Sequence, residues 1–220
     1  MKIFKSGSGL ITVIDGLFTD DELEKTDKYF GSYTYWGLGY DMESYGAASA
    51  TLCRSLKWEQ WIGLHGMVGD INETMRRRLH RDSDIKVPYF ERCLINNFKF
   101  GDSPMFHKDN PSSDTAMTFM VYPNKVWNLN WGGFTAFADD DDNVIDCINP
   151  KPGRITVFPG NLNHSGVAPT KVHQGYGRFS MAYQDTGGNY DKPEERARVK
   201  PEDIEKASMQ SIFGDDYARL

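Results

Sequence analysis

Cysteine is scarce in this chain. Cys53, Cys93 and Cys147 are scattered, odd in number and form no CxxC pair. That spacing argues against a zinc ribbon and a disulfide framework, and it fits a reducing, cytoplasmic setting. No apolar run reaches the roughly 18 residues of a membrane span. The opening Met1–Gly7 lacks the apolar stretch and small-residue cleavage site of a secretory signal. A basic excess is also missing: 25 Lys and Arg against 31 Asp and Glu leave a formal net charge of −6. Such a balance does not favour a phosphate backbone, so neither nucleic acid nor membrane is expected as a partner. Apolar side chains, in contrast, are plentiful. Of 220 residues, 39% are hydrophobic and 13% aromatic, enough to build a core and to exclude a wholly disordered chain.

Length and pattern predict a single domain over residues 1–220, in three stretches. Residues 1–87 are expected to be a largely helical support. There Ile11–Ile14 reads as a short strand, and Thr19-Asp20-Asp21-Glu22 has the form of a capping box opening a helix to about Phe30. Gly31 to Ser55, rich in Gly, Tyr and Ser, reads as loop with one strand. Trp58, Trp61, Ile62, Val68, Ile71, Met75 and Leu79 recur at helical spacing, ending near Arg76, Arg77 and Arg78. Residues 88–185 hold seven short apolar or alternating runs separated by turn residues, which predicts a sandwich or barrel. The runs are 89–100, 115–122, 134–138, 144–148, 154–158, 164–167 and 176–184. Residues 186–220 are expected to form a C-terminal helical tail, with a helix opening at Pro201.

Only five histidines are present, and two stand in unusual surroundings. His107 and Asp109 lie two apart, so an extended backbone turns an imidazole and a carboxylate to one side. His164 follows Pro159-Gly160-Asn161-Leu162-Asn163 at the start of a later strand. Two imidazoles and one carboxylate on adjacent strands form a facial triad with open coordination positions, a ligand set suited to non-haem Fe(II) oxygenase chemistry. H-x-D alone is a weak motif. It gains weight from Arg178, fourteen residues after His164, because a guanidinium on a buried strand needs an anionic partner. A carboxylate cosubstrate would supply one through paired hydrogen bonds. Ser180 shares the strand face of Arg178, and Tyr122 ends another strand; either hydroxyl offers a further contact.

From about Arg92 to Tyr183 the chain resembles the Fe(II)- and 2-oxoglutarate-dependent dioxygenases, and among them the prolyl 4-hydroxylase-like group in its compact bacterial and phage-type forms. The residues that carry the resemblance are, in order, Asn97-Phe98-Lys99-Phe100-Gly101, His107-Lys108-Asp109-Asn110-Pro111, Tyr122-Pro123-Asn124, Trp131-Gly132-Gly133-Phe134, Pro152-Gly153-Arg154 with Phe158, His164, and Arg178-Phe179-Ser180. The resemblance implies a mainly β fold with flanking helices and a double-stranded β-helix (jelly roll) core. It implies Fe(II) on His107, Asp109 and His164, and 2-oxoglutarate held by Arg178 with Tyr122 and Ser180. Dioxygen, and ascorbate as an auxiliary reductant, complete the expected cofactor set. The reaction would couple decarboxylation to succinate with hydroxylation of a C–H bond. The leading substrate is proline in a peptide or protein. Another residue, a free amino acid or a small metabolite is the alternative. A non-catalytic jelly-roll binding module and a metal-binding cupin without 2-oxoglutarate are the rivals from other classes.

Three departures from the group stand out. Phe98 occupies a position usually held by Tyr, Pro104 one usually held by an aromatic residue, and the segment with Lys171, His173 and Gln174 lengthens the gap to Arg178. Asp109 itself predicts hydroxylation, since related halogenases lack a carboxylate there. Other residues have plainer readings. His65 and His80 read as structural and His173 as solvated. Asp139–Asp142 reads as a solvated hairpin tip, and Arg76, Arg77, Arg78 and Arg81 as a charged helix end. Trp127 and Trp131 read as groove-lining residues or loop anchors, and Tyr33–Tyr45 as a lid.

Overall fold

The structure, a computed structural model, describes residues 1–32, 37–39, 51–57, 66–90, 92–102, 104–170 and 177–185. In chain order its elements are β1 (Lys2–Lys5), β2 (Thr12–Asp15), α1 (Asp20–Ser32), β3 (Gly37–Gly39), β4 (Thr51–Lys57), α2 (Gly66–Asp82), β5 (Arg92–Phe98), β6 (Met117–Val121), a 3-10 turn at Leu129–Trp131, β7 (Thr135–Ala138), β8 (Val144–Ile148), β9 (Ile155–Pro159), β10 (Asn163–Gly166) and β11 (Arg178–Gln184). Eight strands make the larger sheet in the order β1-β2-β9-β6-β11-β5-β4-β3, and three make the smaller, β10-β7-β8. An antiparallel bridge between His107 and His164 extends the smaller sheet by one more segment. This is the expected jelly-roll architecture.

The central strands β6, β9 and β11 of the larger sheet are buried on both faces, and strand alternation sorts their side chains. On β6, β9 and β11, Phe119, Val121, Ile155, Val157, Phe179, Met181 and Tyr183 face the two helices. There they meet Phe30 of α1 and Val68, Ile71, Met75 and Leu79 of α2. The Tyr183 hydroxyl donates to the Val68 carbonyl at 2.7 Å, pinning α2 to the sheet. Met120, Tyr122 and Phe158 point the other way and pack with Ile11, Val13, Phe137 and Ile148 between the sheets. Each such side chain contributes about 1.5–3 kcal/mol when taken out of water. The central strands therefore read as nearly continuous apolar runs, with Asn96, Arg178 and Ser180 among the polar residues turned into the cup.

Every expected strand of the 88–185 stretch forms, within a few residues of the predicted ends. The capping box forms too: the Thr19 amide donates to Glu22 Oε2 at 2.9 Å, and the Glu22 amide donates to Thr19 Oγ1 at 3.3 Å. Residues 1–87 differ from the largely helical expectation, because β1 to β4 all join the larger sheet. The reason is pairing across sequence. Exposed, lysine-bearing β1 is held by backbone pairing to β2, from Lys2↔Asp15 to Lys5↔Thr12. Likewise β4 pairs with β5 over Leu52↔Asn97 to Lys57↔Arg92. Local composition cannot report such partners. The expected Tyr33–Tyr45 lid apart from β3, Trp58, Trp61, Ile62 and His65, Lys171, His173 and Gln174, and the expected helical tail over 186–220 lie outside the described residues. No helix among the described residues is long and apolar enough to cross a membrane.

Candidate active site

Three of the predicted residues converge at the open end of the cup. His107 and His164 sit opposite one another in the bridge: each backbone amide donates to the other's carbonyl at 2.9 Å. Their rings lie 4.5 Å apart between centroids. Asp109 closes the group, with Oδ1 at 3.6 Å from His107 Nε2 and Oδ2 at 3.7 Å from His164 Nε2. All three ligand atoms lie within 4.8 Å of one another, the separation expected of donors around a single ion. The outer contacts aim them. His107 Nδ1 faces the Met105 carbonyl and His164 Nδ1 the Leu162 carbonyl, both at 3.0 Å. Those acceptors place the proton on Nδ1 and leave the Nε2 lone pairs free for a metal. Thr118 Oγ1 donates to Asp109 Oδ2 at 2.6 Å.

Burial disfavours a charged Asp109, yet the neighbouring imidazoles and the Thr118 hydroxyl outweigh it and hold the carboxyl well below its usual pKa range. The carboxylate is thus ionised and ready to bind a cation. Burial also lowers the pKa of His164, which keeps that ring neutral against the pull of Asp109. For His107 burial acts in the same direction, but the contacts with Asp109 and Met105 prevail and its pKa is raised.

Arg178 lies beyond the triad at 0% exposure. Its Nε donates to the Gly133 carbonyl at 2.9 Å, Nη2 to Thr135 Oγ1 at 2.6 Å and Nη1 to Ser180 Oγ at 3.2 Å. The guanidinium also stacks between the Phe98 ring at 4.9 Å and the Tyr122 ring at 5.1 Å. No carboxylate among the described residues pairs with it, and burial lowers its pKa. Gly166 fixes the spacing. A Cβ there would stand 3.1 Å from Arg178 Nη1 and 2.9 Å from the Phe98 ring, so the guanidinium rests directly against this glycine. Gly166 is two residues along β10 from His164, which is about 7 Å. Register repeats the pattern, because His164 pairs with Phe137 and Gly166 with Thr135. A metal level and a guanidinium level are therefore stacked one strand repeat apart, with Leu94, Met120 and Ala182 among the apolar walls of the same cleft.

Sequence reasoning brought His107, Asp109, His164, Arg178 and Ser180 to this cleft. Tyr122 stands against Arg178 itself: its hydroxyl meets Thr135 Oγ1 at 2.8 Å, and its ring supports the guanidinium. Burial raises its pKa, so it stays a neutral phenol. Thr135, which links Arg178 to Tyr122, was not anticipated. Its only mark in the sequence is its place after Gly132-Gly133. The plainer readings hold elsewhere. His80 Nε2 accepts from the Val87 amide at 3.0 Å. Arg76 caps the Val87 and Pro88 carbonyls and stacks on Tyr89, and Arg78 forms a two-armed ion pair with Glu22. Asp139–Asp142 makes the hairpin tip between β7 and β8. Trp127 anchors its loop by donating to the Gly132 carbonyl at 3.0 Å, with Trp131 edge-on at 5.5 Å.

Comparison with known proteins agrees with this geometry. Residues 93–183 match the model of the 2OG-Fe(II) oxygenase superfamily. No curated protein matches the chain in sequence. Solved structures do match in fold. A Trichoplax adhaerens prolyl hydroxylase in complex with a hypoxia inducible factor oxygen degradation domain peptide fragment superposes with a TM-score of 0.59 at 13% identity, over 86% of this chain and 87% of that one. A Pseudomonas putida prolyl-4-hydroxylase gives 0.54 at 12%, over 78% and 90%. A 2OG-Fe(II) oxygenase family oxidoreductase from Burkholderia pseudomallei gives 0.54 at 15%, over 82% and 87%. Cys93 to Tyr183 thus match the 2OG-Fe(II) oxygenase superfamily model, and the chain shares the fold of the solved prolyl hydroxylases.

Proposed function

We propose that the chain is an Fe(II)- and 2-oxoglutarate-dependent hydroxylase that acts on proline within a peptide or protein. The observation that carries the reading is the buried guanidinium of Arg178, paired with no carboxylate among the described residues, one strand repeat from the His107–Asp109–His164 triad. That spacing suits a short dicarboxylate chelating a metal at one end and paired with Arg178 at the other. His107, Asp109 and His164 would hold Fe(II), and Arg178 the far carboxylate of 2-oxoglutarate. Bound there, metal and cosubstrate supply the oxidative chemistry that places a hydroxyl on a substrate C–H bond and releases succinate and carbon dioxide.

The protein's part is positional. The Met105 and Leu162 carbonyls aim both imidazoles, and Thr118 steadies Asp109. Thr135, Ser180 and the Gly133 carbonyl fix the guanidinium, with Phe98 and Tyr122 closing its faces to water. Asp109 supplies the carboxylate that a halide site lacks, which favours hydroxylation. The prolyl assignment draws on fold likeness to a prolyl hydroxylase solved with a peptide, and ascorbate is included as the reductant that would keep iron in the ferrous state. The test supplies Fe(II), ascorbate and 2-oxoglutarate and follows succinate with and without Pro-containing peptides. Peptide-dependent succinate and a +16 Da product, one added oxygen, are expected. Iron binding without turnover on any peptide or amino acid would defeat the substrate assignment.

A further inference from the structure

We infer that Asn96 is a cosubstrate-binding residue: its side-chain amide donates a hydrogen bond to the dicarboxylate lying between the His107–Asp109–His164 triad and Arg178. The inference rests on the functional reading above and extends it to a residue that neither motif nor spacing singled out. Asn96 is 8% exposed and lines the cleft together with the triad, Arg178 and Ser180. Its Oδ1 is buried and has no hydrogen-bond partner among the described residues. A buried polar atom left in that state costs about 1–3 kcal/mol, so folding alone gives no reason to keep an amide at this point.

Position explains what the amide faces. Alternation on β5 turns Cys93 and Ile95 toward the helices, and Leu94, Asn96 and Phe98 toward the cup. Leu94 and Phe98 are apolar, which makes Asn96 the hydrogen-bonding side chain of the three. It pairs in register with Ser180, and Ser180 Oγ accepts from Arg178 Nη1 at 3.2 Å. Side chains directly opposite on antiparallel strands stand about 4.5–5.5 Å apart at Cβ. The amide therefore stands beside the guanidinium, on the wall between it and the metal level. A half turn about the last side-chain bond exchanges Oδ1 and Nδ2, so an anion entering the cleft meets an N–H with no other movement. Asn97 makes a useful contrast. Its Oδ1 is also unpartnered, but that atom packs where a Cβ on Gly177 would stand, at 1.5 Å, and Asn97 does not line the cleft.

The test uses the full chain loaded with Mn(II) in the absence of oxygen, titrated with 2-oxoglutarate by calorimetry. Asn96→Leu removes the amide at similar volume, and Asn96→Asp keeps the shape but adds a negative charge next to Arg178. Both variants are expected to bind 2-oxoglutarate at least about tenfold more weakly than the native protein, the size of one charge-assisted hydrogen bond. Their Mn(II) affinity should stay within about twofold. The metal-free Asn96→Leu protein should melt no lower than the native one, since it has shed an unpartnered polar atom. Unchanged 2-oxoglutarate affinity in both variants overturns the inference. So does a parallel loss of Mn(II) affinity, which would make Asn96 structural. Native protein that binds Mn(II) but no 2-oxoglutarate would instead sink the functional reading underneath, and is told apart because no variant is needed to see it.

Discussion

Replacing Thr135 by Val tests how the cup holds its guanidinium. Thr135 Oγ1 accepts from Arg178 Nη2 at 2.6 Å and meets the Tyr122 hydroxyl at 2.8 Å, at a position 1% exposed. Valine has nearly the same shape, so packing is kept and only the hydroxyl is lost. An Nη2 proton and the Tyr122 hydroxyl would each lose a partner in a site that water does not reach. At about 1–3 kcal/mol for an unsatisfied buried group, and less for Tyr122 because it also touches Thr156, the loss sums to roughly 2–4 kcal/mol. For a domain of this size that is a fall of roughly 4–16 °C in Tm. The freed guanidinium should also bind 2-oxoglutarate about tenfold more weakly, which calorimetry on the Mn(II)-loaded protein reads directly. Thr135→Ser keeps the hydroxyl and should retain near-native affinity at a cost of about 1 kcal/mol for its missing methyl. If Val and Ser variants melt together and bind the cosubstrate alike, the hydroxyl bridge does not hold Arg178 and the reasoning fails.

Other outcomes follow from the same geometry. Asp109→Ala removes the carboxylate that both imidazoles face, so Mn(II) or Fe(II) titration should show metal binding lost and turnover with it, while the fold persists by circular dichroism. Gly166→Ala places a Cβ 2.9 Å from the Phe98 ring and 3.1 Å from Arg178 Nη1. It should cost about 1–3 kcal/mol by overpacking and weaken 2-oxoglutarate binding more than metal binding, a difference that two titrations expose. The Arg154 guanidinium, bound to both oxygens of Asp15 at 2.7 Å, prevails over burial and lowers the Asp15 pKa. The sign follows from that depression: the pair's stabilisation is present above the unfolded carboxylate value, about 3.9, and is lost as pH falls through the lower folded value. Native protein should therefore melt above Asp15→Asn at neutral pH, with the gap closing below about pH 4. A gap that widens on acidification contradicts the assignment.

Much of this was legible before any coordinates. The strands of the jelly roll announced themselves because each is a short apolar run cut off by turn residues, as at Val144–Ile148 and Ile155–Pro159. His107 and Asp109 were readable because extended backbone repeats every two residues, and Arg178 because the residues that follow it on β11 are mostly apolar or small. What stayed hidden depends on partners distant in sequence. Thr135 matters only because β7 pairs with β10 at Gly166 and the Arg178 side chain reaches that level from another sheet. Asn96 stands out only because β5 registers it against Ser180. Exposed β1 has no core signal of its own, and its strand exists through backbone bonds to β2. Tyr122 stands against Arg178 as its strand position suggests, but its hydroxyl meets Thr135, a partner that only strand pairing brings near.

The most direct measurement compares native protein with Arg178→Leu in paired titrations, first with Mn(II) and then, on the metal-loaded protein without oxygen, with 2-oxoglutarate. Native protein should bind both, and the variant should bind the metal normally while losing 2-oxoglutarate affinity by about a hundredfold or more, the scale of two charge-assisted hydrogen bonds. A variant that still binds 2-oxoglutarate as tightly as the native chain would mean that the buried guanidinium serves the fold and not the dicarboxylate.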